Sequence, residues 1–110
     1  MKNKISEHEL QNLIKQWLEL HGWFCLRLNS GMIPTYTFKG VKHMVKHMVR
    51  LSPAGTPDLF ALKKGKCVFI EVKVGSNKLT KYQELMLDNI EIHGGQTIVA
   101  YSLEDVIRSI

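Results

Sequence analysis

Leu10, Ile14, Trp17, Leu18 and His21 recur at helical spacing, so Ser6 to His21 predicts an amphipathic helix. Ser6 suits the N-cap, Glu9 three residues on completes a capping box, and Gly22 ends the helix. The period then changes. Trp23 to Leu28 reads as a short strand, from which Asn29 and Ser30 emerge. Leu59 to Leu62 and Cys67 to Val74 are two apolar, β-prone runs joined by Lys64-Gly65, a plausible two-residue turn. Thr80 opens a second helix with Gln83 in a second capping box. Tyr82, Leu85, Met86, Asn89, Ile90 and His93 fall near one face of it, and Gly94-Gly95 stops it. Thr97 to Tyr101 is a last strand, and Leu103 to Ile110 a terminal helix capped by Ser102. The order strand, helix, strand from Glu71 to Ala100 is a crossover and predicts parallel, right-handed pairing. The central hairpin is apolar on both faces away from one end, so helices should cover both sides of a mixed sheet.

Residues 31–52 do not settle on one period. Gly31, Pro34 and Gly40 suggest a loop or hairpin. The local repeat from Val41 to Arg50 puts Val41, Met44, Val45, Met48 and Val49 on one side if helical, with Lys42, Lys46 and Arg50 on another. It alternates as a strand too, so periodicity leaves both readings open. The tail, 49–52, reads as extended. His43 and His47 have the i, i+4 spacing of a helical zinc pair, but Met44 stands where a metalloprotease needs its glutamate.

Charge adds direction to this pattern. The 110 residues carry fifteen basic and ten acidic side chains, a net +5. No acid lies between Glu19 and Asp58, while Arg27, Lys39, Lys42, Lys46 and Arg50 all fall there. A polyanion suits such a distribution, and a solvated basic surface is the plainer alternative. At 45% hydrophobic and 23% charged residues the chain reads as one soluble globular domain over 1–110. No signal run or membrane-length stretch is evident, and Cys25 and Cys67 sit in apolar runs as buried thiols, which points to a reducing cytoplasm.

Chemistry concentrates at one end of the central hairpin. With Lys64-Gly65 as the turn, Lys63 faces Lys66, Leu62 faces Cys67, Phe60 faces Phe69 and Asp58 faces Glu71. Lys73 shares the face of Glu71 while Val72 points the other way. Two close carboxylates repel unless a cation lies between them, and an all-oxygen donor set suits Mg2+ or Mn2+. A neighbouring lysine can position a water or steady developing negative charge. A surface salt bridge between Lys73 and one carboxylate is the alternative. Glu7 lies on the apolar stripe of the first helix, one turn before Leu10 and Gln11, with Glu9 nearly opposite. Glu7 is therefore a candidate third acidic group, or simply a first-turn acid favoured by the helix dipole.

Pro57-Asp58 followed by Glu71-Val72-Lys73 resembles the PD-(D/E)XK nuclease signature. More closely, Gly55-Thr56-Pro57-Asp58, the Glu-Val-Lys strand and Leu79-Thr80-Lys81-Tyr82-Gln83 resemble the virus-type replication–repair nuclease (VRR-NUC) family. The resemblance runs from about Ser6 to the C-terminus and is broken at about 31–52, which then reads as an insertion. It implies a restriction-endonuclease-like α/β core and a Mg2+- or Mn2+-dependent DNA endonuclease. It also implies Asp58, Glu71, the Val72 carbonyl and Glu7 at the metal, Lys73 at the attacking water, and Gln83 close to that lysine. Arg27 would touch a phosphate, or else pair with Glu7 or Asp58. Lys42, Lys46 and Arg50 are candidate DNA contacts, with a dimer interface through Val41, Met44, Val45 and Met48 as the competing reading. Small single-domain relatives resemble phage proteins acting as homodimers on branched DNA. A Holliday-junction resolvase is thus the leading expectation, with a flap or restriction-type nuclease or a non-catalytic nucleic-acid-binding module as alternatives.

Overall fold

The computed structural model describes residues 4–28, 32–40, 42–50 and 52–110, without the side chains of Met32 and Arg50. Asn29, Ser30, Gly31, Val41 and Leu51 lie outside the described residues. Helix α1 spans Glu7–Leu20, and Ser6 Oγ accepts from Glu9 N at 3.1 Å. Only this half of the expected capping box forms; at the second helix both halves do. Leu10, Ile14 and Leu18 are buried as the stripe requires, but His21 is exposed and stacks on Trp17 with ring centroids 3.9 Å apart. As the C-cap residue it lies past the packed turns, where its Nδ1 meets Trp17 O at 2.7 Å.

Four strands form the central sheet in the order β1 (Phe24–Arg27), β4 (Leu59–Lys63), β5 (Lys66–Val72), β6 (Gln96–Ala100). The first three are antiparallel, and β5 and β6 pair in parallel with Val72 opposite Ala100. In the β4–β5 hairpin Lys63 pairs with Lys66, Leu62 with Cys67 and Phe60 with Phe69, the register expected from a two-residue turn. Lys64 and Gly65 both have positive φ, +48° and +82°, which the right-handed twist of the flanking strands favours.

One face of this sheet carries Cys25, Leu59, Ala61, Val68, Ile70, Val72, Ile98 and Ala100, and packs against α1 and against Val106 of α3 (Leu103–Ser109). Full burial of side chains such as Ile14, Leu18 and Ile70 contributes roughly 1.5–3 kcal/mol each. Helix α2 (Lys81–Ile92) covers the opposite face, so helices lie on both sides. Its inward residues are Gln83, Met86, Leu87 and Ile90, one residue round from the expected face. Tyr82, Leu85, Asn89 and His93 are exposed instead. Apolar side chains occupy a broad arc of α2, and only its seat over Phe69 selects among them. The cover is partial. Phe24 is 59% and Leu26 45% exposed on that face. Cys67 is exposed as well, contrary to expectation, because it lies near the turn beyond the end of α2.

Residues 32–38 and 44–50 settle as strand rather than helix. Strands β2 (Met32–Phe38) and β3 (Met44–Arg50) pair antiparallel in a separate two-stranded sheet. The helical stripe is thereby split: Met44, Lys46 and Met48 share one face with Phe38, Tyr36 and Pro34, while Val45, His47 and Val49 share the other with Thr37, Thr35 and Ile33. The helical zinc pair does not form, since His43 precedes β3 and His47 Nε2 lies 2.9 Å from Thr37 Oγ1. Phe38 is 78% exposed near the tip. The Cα radius of gyration is 17.1 Å, against roughly 13 Å for a compact chain of this length.

Candidate active site

Beyond the last β4–β5 pair, Asp58 and Glu71 face each other in continued register. Leu28 N donates to Asp58 O at 2.8 Å, so β1 also holds this end of the hairpin. Asp58 Oδ2 accepts from Val72 N at 2.8 Å, which turns the side chain across the strand toward Glu71. Glu71 is 2% exposed, and its Oε1 has no hydrogen-bond partner among the described residues. Lys73 is buried beside it, and Lys73 N donates to Ala100 O at 3.0 Å.

The electrostatics follow from that burial. Desolvation pushes the Glu71 carboxyl up to about 9. The hydrogen bond to Asp58 and the Asp58 charge push the same way, Lys73 opposes them, and Glu7 adds a smaller upward push. In the absence of a cation Glu71 is thus a protonated acid sharing its proton with Asp58. A bound divalent cation would take the place of that proton. An orphaned buried carboxyl oxygen next to a second carboxylate is a donor set that fits a hard, oxygen-preferring ion.

Glu7 is half-buried and close enough for its charge to reach Glu71, whereas Glu9 is exposed on the other side of α1. Yet no three His, Cys, Asp or Glu side chains cluster as a metal-holding group among the described residues. Gln83 lies on the inward face of α2, with Oε1 accepting from Thr80 N at 2.9 Å and its backbone N donating to Thr80 Oγ at 3.2 Å. The capping role is therefore realised and uses its amide oxygen. Arg27 pairs with neither Glu7 nor Asp58; its Nη2 donates to Asn12 Oδ1 on α1. Lys42 and Lys46 are exposed on the hairpin arm, apart from the acidic cluster, and Arg50 closes β3 with its side chain outside the described residues.

Gly55 carries a role that its place in the sequence motif does not reveal. Its φ is +84°, and a Cβ there would collide with Tyr82 O and sit 2.5 Å from Tyr82 C and 2.9 Å from Gln83 N. The loop bearing Asp58 thus touches the first turn of α2 backbone to backbone, which only glycine allows. Thr56 Oγ1 donates to Pro53 O at 2.6 Å and closes the same loop. No local sequence signal names the partner of such a glycine.

No curated protein matches the chain in sequence. A solved structure described as a VRR_NUC domain superposes with a TM-score of 0.64 at 22% identity, covering 93% of this chain and 90% of that one. At that identity the likeness speaks for the fold. The profile of the VRR-NUC domain matches residues 5–104, from the segment leading into α1 to the first turn of α3. That span includes Glu7, Asp58, Glu71, Lys73 and Gln83, and the chain belongs to the VRR-NUC domain family of nucleases.

Proposed function

We propose that this chain is a divalent-cation-dependent endonuclease that hydrolyses phosphodiester bonds in DNA. The observation that carries the reading is the buried, unpartnered Glu71 Oε1 beside Asp58, with Lys73 on the same face. Two carboxyl groups held together in the interior, one of them forced to keep its proton, destabilise the fold near neutral pH unless a ligand uses them. Asp58 and Glu71 would hold Mg2+ or Mn2+, with the Val72 carbonyl and, through a water, Glu7. When bound, that ion supplies Lewis acidity at the scissile phosphate and acidifies a bound water.

The chain's own groups do the rest. Lys73 orients the attacking water and steadies the negative charge that develops on the phosphate. The Val72 N–H bond to Asp58 Oδ2 fixes the carboxylate before substrate arrives. Gln83, held by its capping bond, presents its remaining amide hydrogens from the inward face of α2. The cations Lys39, Lys42, Lys46 and Arg50 of the hairpin arm hold phosphates away from the reacting centre, and Arg27 lies at the same sheet end as Asp58.

Branched DNA cut by a homodimer is the specific substrate reading. A projecting arm with aromatic and basic residues on one face supports it, because it offers a surface apart from the acidic site for reading DNA shape. A flap or restriction-type nuclease is the alternative. The test is cleavage of labelled junction, flap, duplex and single-stranded DNA with Mg2+, with Mn2+ and with EDTA, for wild type and Asp58→Ala. Cation-dependent cleavage lost in Asp58→Ala is expected. Cleavage retained in Asp58→Ala, or in EDTA, overturns the assignment.

A further inference from the structure

A cleft of about 510 Å3 is lined by Lys4, Ile5, Val74, Ser76, Asn77 and Tyr101 among others, several of them chain neighbours of the acidic site. Both of its walls are linked along the chain to site residues. Lys4 and Ile5 lead into α1 at Glu7, whose charge reaches Glu71, and Val74 follows Lys73. Parallel pairing sets Ala100 opposite Val72, so Tyr101 begins where the catalytic strand ends.

The lining has a definite chemistry. Ile5 and Tyr101 each present an exposed apolar surface, at 41% and 42%. Lys4 is an exposed cation, and among the described residues no carboxylate lines the cleft. The aromatic wall is already held in place. Tyr101 OH donates to Asn77 O at 2.6 Å, and Tyr101 N donates to Asp105 Oδ2 at 2.8 Å. Asn77 N donates to Val74 O at 3.2 Å, which closes the opposite wall as a turn. With its hydroxyl used in the turn, Tyr101 has its ring face left to offer. An aromatic face beside a cation is the means by which proteins take unpaired nucleotides, by stacking and phosphate attraction. The cleft volume lies in the range of small-ligand sites.

We propose that this cleft is a nucleotide subsite that receives one unpaired nucleotide flanking the cleaved bond, with its base on Tyr101 and its phosphate on Lys4. The inference rests on the nuclease reading of the acidic cluster and adds a reason for shape selection. A base paired within a duplex is stacked on its neighbours and cannot enter, whereas an unpaired one at a branch or in a single-stranded flap can.

The probe is a duplex carrying a single-stranded flap with 2-aminopurine at the junction nucleotide, compared with the matching blunt duplex. Binding is measured in EDTA, so that cleavage does not enter, for the full-length wild type, Tyr101→Leu, Tyr101→Phe and Lys4→Gln. The wild type should bind the flap more tightly and change the 2-aminopurine emission. Tyr101→Leu should lose roughly 5- to 140-fold in flap affinity, the worth of one stacked base, with blunt-duplex affinity unchanged. Tyr101→Phe keeps the ring, loses only the bond to Asn77, and should bind as wild type. Lys4→Gln should flatten the salt dependence by about 0.7 log unit for one single-strand phosphate. Equal flap binding by wild type and Tyr101→Leu, or equal losses in the Leu and Phe variants, overturns the cleft while leaving Mg2+-dependent cleavage to stand. A wild type that neither binds nor cleaves DNA overturns both readings.

Discussion

Glu71 sets the energetics of the site, because its carboxyl is buried, faces Asp58 and is held protonated. A folded-state value of about 9 against an ordinary 4.5 means that the contribution of Glu71 to the stability of the metal-free protein is full below about 4.5 and is lost as pH rises toward 9. Glu71→Gln should remove that slope and raise the metal-free melting temperature at high pH, by about 4–8 °C for each kcal/mol relieved. Added Mn2+ should restore the wild type and not the variant. Melting curves in EDTA across this range check it, and parallel slopes for the two proteins would refute it. Glu7 and Glu9 separate by face: Glu7→Gln should slow cleavage, while Glu9→Gln should be nearly silent, since Ser6 caps the backbone N–H of residue 9 whatever its side chain. The reverse ranking of cleavage rates would place the wrong acid at the site. Gly55 can be tested against Gly65, which has a like φ but no atom within 4 Å of a Cβ. Both alanine variants should suffer the left-handed penalty of about 1–2 kcal/mol. Gly55→Ala should also push α2 away, with a further stability loss and a fall in cleavage of about 10²-fold at saturating substrate, as expected for a displaced positioning group. If the two variants prove equal in stability and rate, the backbone approach has no catalytic role.

At the scale of elements, α2 and the β2–β3 hairpin behave in opposite ways. Helix α2 has one buried anchor, Leu87, and its neighbour Leu85 faces solvent. Leu87→Ala should cost about 2–4 kcal/mol in urea unfolding, against less than about 0.5 kcal/mol for Leu85→Ala. Similar losses would show that the helix is rotated from the face described. Among its described side chains the hairpin has no such anchor. Its apolar side chains Phe38, Met44, Met48 and Val49 are exposed on both faces, and an isolated two-stranded ribbon is marginal in water. Its basic residues then matter for affinity. Changing Lys42, Lys46 and Arg50 to glutamine should flatten the salt dependence of DNA binding by about 0.9 log unit for each phosphate no longer neutralised. Single-turnover cleavage at saturating protein should change little, and an unchanged slope would leave those residues merely solvated.

Across the whole molecule, a well-packed four-stranded core carries the acidic site, and a ribbon rich in exposed apolar groups extends from it. If the ribbon joins two copies, polar replacement of Met44 and Met48, which share a face with Phe38, should convert a dimer into a monomer in sedimentation. A wild type that sediments as a monomer at micromolar concentration would remove the dimer from the substrate reading.

Local rules suffice for much of this. Ser6 and Thr80 start helices because their side chains satisfy N–H groups within three residues. Lys64-Gly65 sets the β4–β5 register because two residues of positive φ admit one pairing, and that pairing alone brings Asp58 opposite Glu71. Other features depend on what is packed against them. The inward face of α2 lies one residue round from the face its pattern predicts, because Tyr82 and Leu85 are as apolar as Met86 and Leu87. Only the sheet beneath decides which of them are buried. Residues 41–50 satisfy a helix and a strand equally, and pairing with 32–38 breaks the tie through backbone bonds that no side-chain period encodes. Burial of Glu71, exposure of Cys67 and the need for glycine at position 55 are decided by segments far along the chain. Desolvation and steric exclusion arise only when those segments meet, and so they belong to the tertiary structure.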